Sequence, residues 1–141
     1  MLQEGVNSLL AAAPTIQAIL GTPASRPDGS TGIWPVTVPI GKPLPALVYM
    51  RVAGHEINSL DGRGELRVSR IQISPYAENY ADVANLCEAA KDVLCNFQGK
   101  LDDGTEVDSM FLVLETDAYE STPKIFSAPF DVEIQYRNAT A

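Results

Sequence analysis

The sequence predicts an α+β fold: a single, mainly antiparallel sheet of about five strands, with two amphipathic helices on one face. Three observations carry this. Apolar residues recur at helical spacing in two segments, residues 2–20 and 83–94. Two-residue alternation marks the strands between and after them, most cleanly where Phe126, Ala128, Phe130, Val132, Ile134 and Tyr136 oppose Asp131, Glu133, Gln135 and Arg137. The strands are mostly joined by links of hairpin length, which suits antiparallel neighbours.

The elements follow in order. Leu2, Val6, Leu9, Leu10 and Ala13 form one helical stripe, which Ile16, Ile19 and Leu20 continue. Pro14 kinks this helix or starts a second short one, because it biases Ala13 away from helical angles. Gly21 and Pro23 end it. Residues 21–32, GTPASRPDGSTG, hold turn formers and no large apolar side chain, and read as a flexible loop. Residues 33–39, IWPVTVP, read as a short edge strand, with proline near both margins.

In LPALVYMRVAGHEI, Val48, Met50 and Val52 are expected on one face and Tyr49 and Arg51 on the other. NSLDGRG, at 58–64, reads as a hairpin tip. In the returning strand, Ile71 and Ile73 share a face opposite Arg70 and Gln72. Leu66 and Val68 are out of phase with the isoleucines, which points to a bulge near Ser69. Pro75 lacks an amide hydrogen and should interrupt pairing.

Asn79 is a good N-cap, supported by Asp82 in the first turn. Val83, Leu86, Cys87, Ala90 and Leu94 mark the apolar face of the helix that follows, expected to reach about Phe97 before Gly99 stops it. Residues 98–109 read as a second flexible polar loop. MFLVLETDAY should be a central strand and KIFSAPFDVEIQYR the last. The sheet face away from the helices would carry Tyr49, Arg51, Arg70, Gln72, Asp131, Glu133 and Gln135. The whole chain, 1–141, reads as a single domain.

Charge excludes some functions. With 18 acidic and 10 basic residues the chain carries a formal net charge of −8, which opposes free nucleic acid binding. The N-terminal segment lacks a basic leader, and no run approaches the length of a membrane span, so a soluble protein made in the cytoplasm, with no membrane partner, is expected. Cys87 and Cys95 stand eight residues apart on a helix, about 12 Å, too far for a disulfide in one straight helix. They read as small core hydrophobes, and no cofactor or metal is expected.

Catalytic signals are weak. His55 is the single histidine and has no cysteine partner at ligand spacing. No nucleophile elbow, phosphate loop or dinucleotide fingerprint is present. The acidic stretch Asp102, Asp103, Glu106 and Asp108 around Gly104 lacks the spacing of a full calcium loop, and reads as a solvated turn or a weak cation site. Glu115, Asp117 and Glu120 fit a strand end as well as paired catalytic carboxylates. Asn138 heads a glycosylation-like triplet without a secretory context. Arg51, Arg63, Arg67 and Arg70 gather on one hairpin, which reads as a solvated face or as a subunit interface; with Asp102, Asp103 and Glu106 they are the candidate contacts to neighbouring subunits.

The ordered set of segments resembles the tail-completion or tail-terminator proteins of long-tailed bacteriophages, the group similar to the tail terminator of phage lambda. The segments are a helix ending near PTIQAILG, a strand with IWP, PLPALVYMRVAG, ELRVSRIQISPYA leading into NYADVANLCEAAKDVL, ETDAYE, and a last strand like FSAPFDVEIQYR. The resemblance implies a non-enzymatic virion protein, assembled in the host cytoplasm. It implies a homo-oligomer, hexameric in form, that caps the tail tube, stops its polymerisation and joins the head. The implied partners are its own copies, the major tail-tube protein, a head-completion or connector protein, and genomic DNA passing through the lumen without specific binding. A head-completion or stopper protein, another minor tail protein, and a small ligand- or calcium-binding domain remain as alternatives.

Overall fold

A computed structural model of the chain describes residues 2–21, 24–39, 41–56, 66–95, 97–101, 104–122 and 124–137. Among the described residues there are three helices: α1 (Leu2–Ala11), α2 (Pro14–Leu20) and α3 (Tyr80–Leu94). Eight strands accompany them: β1 (Ile33–Pro35), β2 (Ala46–Glu56), β3 (Leu66–Ala77), β4 (Gly99–Lys100), β5 (Glu106–Glu115), β6 (Tyr119–Thr122), β7 (Ile125–Ser127) and β8 (Phe130–Arg137). They form one sheet in the order β1-β2-β3-β8-β5-β4, with β7 on β3 and β6 on β7.

The fold is α+β, as expected, but the sheet is larger and mixed. Eight strands replace about five, and β1 runs parallel to β2 through Ile33↔Leu47, Trp34↔Val48 and Pro35↔Tyr49. A chain leaving a helix through a long loop can enter the sheet in either sense, and nothing local in IWP specifies which. The third helix arises at Pro14, which occupies the first turn of α2, where its missing amide hydrogen costs nothing. Gln17 ties the break together, its Nε2 donating to the Ala11 carbonyl at 2.8 Å.

Helices α1 and α3 bury their stripes against one sheet face, and α2 packs on those two helices, its Ile16 and Leu20 joining the same core. Leu2, Val6, Leu10, Ile16, Leu20, Val83, Leu86 and Leu94 join Leu47, Ile71, Ile73, Phe130, Val132 and Ile134 in one core. At about 25 cal/mol per Å² of apolar surface, burial of this set is the main stabilising contribution. Helix α3 starts as the sequence suggests. The Asp82 amide donates to Asn79 Oδ1 at 2.8 Å, and Asn79 Nδ2 donates to Asp82 Oδ2 at 2.9 Å. The helix closes at Leu94 rather than Phe97, the Cys95 amide donating back to the Lys91 carbonyl at 2.8 Å.

Several strand expectations are corrected. Tyr49 lies in the core with Leu47, and Arg51 shares that face through its pairing with Ile71. The polar face therefore lacks both. Val52 is the bulged residue, between the pairs Arg51↔Ile71 and Ala53↔Arg70. The phase change expected at Ser69 thus sits on the partner strand, while β3 keeps unbroken register with β8 from Leu66↔Arg137 to Ile73↔Phe130. Pro75 does not end β3. It pairs with Leu47 on one side, and on the other it falls where β3 exchanges β8 for β7 at Tyr76↔Ser127. A missing donor is tolerated in that gap.

The last strands also differ. The segment 98–109 contains β4 and the start of β5, and the final strand is split into β7 and β8 around Ala128 and Pro129. MFLVLETDAY is not central: β5 has β8 on one side, and on the other it meets β4 only at Glu106 and Val107. An apolar run alone does not separate a central strand from an edge that awaits a partner.

Candidate assembly surfaces

Three surfaces stand out. The first is the sheet face turned away from the helices. Arg70 Nε lies 2.7 Å from Asp131 Oδ2, and the Asp131 side chain is almost fully covered. Gln72, Glu133 and Gln135 flank this pair, half-buried. Asp131 Oδ1 is buried without a hydrogen-bond partner among the described residues. Such a pair fixes strand register more than it adds stability, because desolvation offsets much of the attraction.

The second surface is the pair of sheet edges. β1 covers β2 only at Leu47, Val48 and Tyr49, and β4 covers β5 only at Glu106 and Val107. Residues 50–56 and 108–115 therefore have no outer strand neighbour among the described residues. Six of the eight exposed large apolar side chains described lie at these two edges: Val36 and Val52 on one, Phe111, Leu112, Val113 and Leu114 on the other. Val36, 65 % exposed, follows β1 with a φ of 67°, which strains a β-branched residue. Its amide donates to the Tyr49 carbonyl at 2.9 Å.

The third is an open cleft of about 200 Å³ between α3 and the end of β5, lined by Tyr80, Cys87, Lys91, Glu115, Asp117 and Ala128. Lys91 Nζ sits 2.6 Å from Glu115 Oε2 and 3.4 Å from Glu88 Oε1. Burial opposes the Lys91 charge, but the hydrogen bond to Glu115 and the surrounding acidic groups hold its pKa above the ordinary lysine value. Burial pushes the Cys87 thiol up, and Cys87 Sγ donates to the Ala128 carbonyl at 3.6 Å. Both cysteines are free.

The sequence-predicted contacts are dispersed. Arg51 and Arg67 pair with Ile71 and Tyr136, and so point to the helix side, whereas Arg70 pairs with Glu133 on the polar side. Gly54 leaves room for Arg51: a Cβ at Gly54 would collide with its Nη2. Glu106 is exposed at the start of β5, opposite Arg137, whose Nε is 3.6 Å from Asp108 Oδ2. Arg63, Asp102 and Asp103 lie outside the described residues, as does Asn138, and nothing is described of the His55 side chain. Among the described residues no group of three or more His, Cys, Asp or Glu is placed to hold a metal ion, and no helix is long and apolar enough to cross a membrane.

Sequence reasoning overlooked Arg26. Only 7 % exposed, it donates from Nη1 to the carbonyls of Leu20 (2.8 Å) and Pro45 (2.9 Å) and from Nη2 to that of Pro43 (2.9 Å). It thus fastens the 24–32 segment to the end of α2 and to the approach to β2. A lone arginine among turn formers was the available signal.

No curated protein matches this chain. Among solved structures, a chain from the virion of a native gene transfer agent particle is similar in fold, with a TM-score of 0.70 at 15 % identity, covering 97 % of this chain and 95 % of that one. The family described as Tail completion protein gp17 matches residues 4–137. With nearly all of its helices and strands inside that match, the chain belongs to the Tail completion protein gp17 family.

Proposed function

We propose that copies of this chain form a hexameric ring on the end of a phage tail tube, where the ring stops tube polymerisation and presents the surface that joins the head. The observation that carries this reading is the family match over residues 4–137, which makes the chain a phage tail structural protein. Its partners in this role are its own copies, the major tail-tube protein and a head-completion or connector protein. Genomic DNA passes through the lumen, the chain resides in the virion, and assembly takes place in the host cytoplasm. Arg51, Arg63, Arg67, Arg70, Asp102, Asp103 and Glu106 are contacts to neighbouring subunits or the tube.

Physical chemistry supports the role. A net charge of −8 on each copy, repeated around a channel, keeps a polyanion from adhering to its wall. The output asked of the protein is shape and contact, and the uncovered edges at 50–56 and 108–115 are places where a neighbour can seat. Head-to-tail contacts close into a ring when the rotation per copy closes.

The test is tube growth with and without the purified chain, followed by negative-stain imaging. Capped ends and a halt to lengthening are expected. Unchanged growth, with binding instead to empty portal complexes, would assign a head-completion or stopper role.

A further inference from the structure

We infer that neighbouring copies join by strand addition, the uncovered edge of β5 in one copy pairing with the uncovered edge of β2 in the next. This rests on the ring reading above and names its contact.

The first argument is direction. Along β2-β3-β8-β5 each strand is antiparallel to the last, so β2 and β5 run in opposite senses. A second copy set beside the first in the same orientation presents its β2 antiparallel to β5. The sheet continues without inversion, which is the condition for a head-to-tail contact.

The second argument is height. Phe111 pairs with Glu133, Glu133 with Arg70, and Arg70 with Ala53, so Phe111 and Ala53 end the same row on opposite edges. Leu112 and Arg51 end another, through Val132 and Ile71. The stretches that β1 and β4 leave uncovered therefore stand level, and side-by-side copies meet there with little slide along the strands. Residues ending one row also point to one face. The polar face of one copy thus continues into the polar face of the next, and the helix face into the helix face.

The third argument is chemistry. Phe111, Leu112, Val113 and Leu114 are exposed on both faces of an edge, the arrangement that soluble proteins otherwise blunt with charge or proline. Across the row-matched contact Phe111 meets Ala53, Leu112 meets Arg51 and Leu114 meets Met50, with the exposed, bulged Val52 between the first two rows.

The test is disulfide trapping in a background of Cys87→Ala and Cys95→Ser. Within one chain, positions 53 and 111 are three strand spacings apart, about 14 Å, beyond the ~7 Å limit between Cα atoms of a disulfide. Ala53→Cys and Phe111→Cys chains are mixed, added to tail tubes, oxidised and run on non-reducing gels, with tube capping imaged in parallel. A band at twice the chain mass from the mixture, absent from either chain alone, is expected. Capping without that band, or a dimer from Phe111→Cys alone, overturns strand addition and leaves the ring reading standing. The band without capping supports the pairing and overturns the terminator role. Neither band nor capping overturns both, and the melting temperatures of the variants verify that each chain is folded.

Discussion

Lys91 Nζ stands 2.6 Å from Glu115 Oε2, joining the last turn of α3 to the last residue of β5. The contact fixes the end of the apolar edge against the helical layer. The Lys91 stem also passes near Phe130, whose ring centroid is 5.8 Å from Nζ. A core residue, a helix and an exposed edge are thus linked by one side chain.

Replacing this lysine should be mild and depend on pH. Glu115 is more than half exposed, so Lys91→Met should cost no more than about 1 kcal/mol at neutral pH by urea denaturation. The folded-state pKa of Lys91 lies above the unfolded value of 10.5, so the contribution is fully present below that value. It is lost as pH rises through the folded pKa. The stability gap between wild type and Lys91→Met should therefore narrow only in strong alkali.

Arg26 should matter more. Arg26→Ala leaves three carbonyls without their donor and should cost about 2–4 kcal/mol. Arg26→Lys should recover only part, since an ammonium lacks the planar fork that reaches all three. Gly32→Ala should also destabilise: Gly32 has a φ of 78°, and a Cβ there would lie 2.7 Å from Arg26 Nη1. Thermal melts of the three variants, ranked against wild type, check this.

The α3 cap gives a smaller, cleaner effect. Asn79→Ala should cost about 1 kcal/mol, and Asn79→Ser should be close to neutral, because serine also accepts from the first-turn amides. Urea midpoints at constant slope measure it.

Thiol labelling reports on the α3 packing. Burial raises the pKa of both Cys87 and Cys95, which lowers their thiolate fraction in mildly alkaline buffer. Both should react with an aromatic disulfide reagent more slowly than free cysteine, Cys87 the slower because it is buried. The two rates should converge in denaturant. Fast labelling of Cys87 in the folded chain would contradict the packing described.

The sequence by itself determined what depends on neighbours a few residues away. The Asn79 cap, the α3 stripe from Val83 to Leu94, the break at Pro14 and the alternation of β8 are set by helical and strand periodicity and by local hydrogen bonding. The ordered segments were also enough to suggest the family. Tertiary structure decided the rest, for reasons local chemistry does not contain. The parallel entry of β1 and the inward turn of Tyr49 follow from which strands meet and where the bulge at Val52 falls. The role of Arg26 depends on carbonyls up to 19 residues away. Phe111 to Leu114 looked like a buried strand because they are apolar, and the sheet order, with β4 too short to cover them, places them at an edge instead. Pairing across distance is cooperative, so no window of sequence encodes which edge stays open.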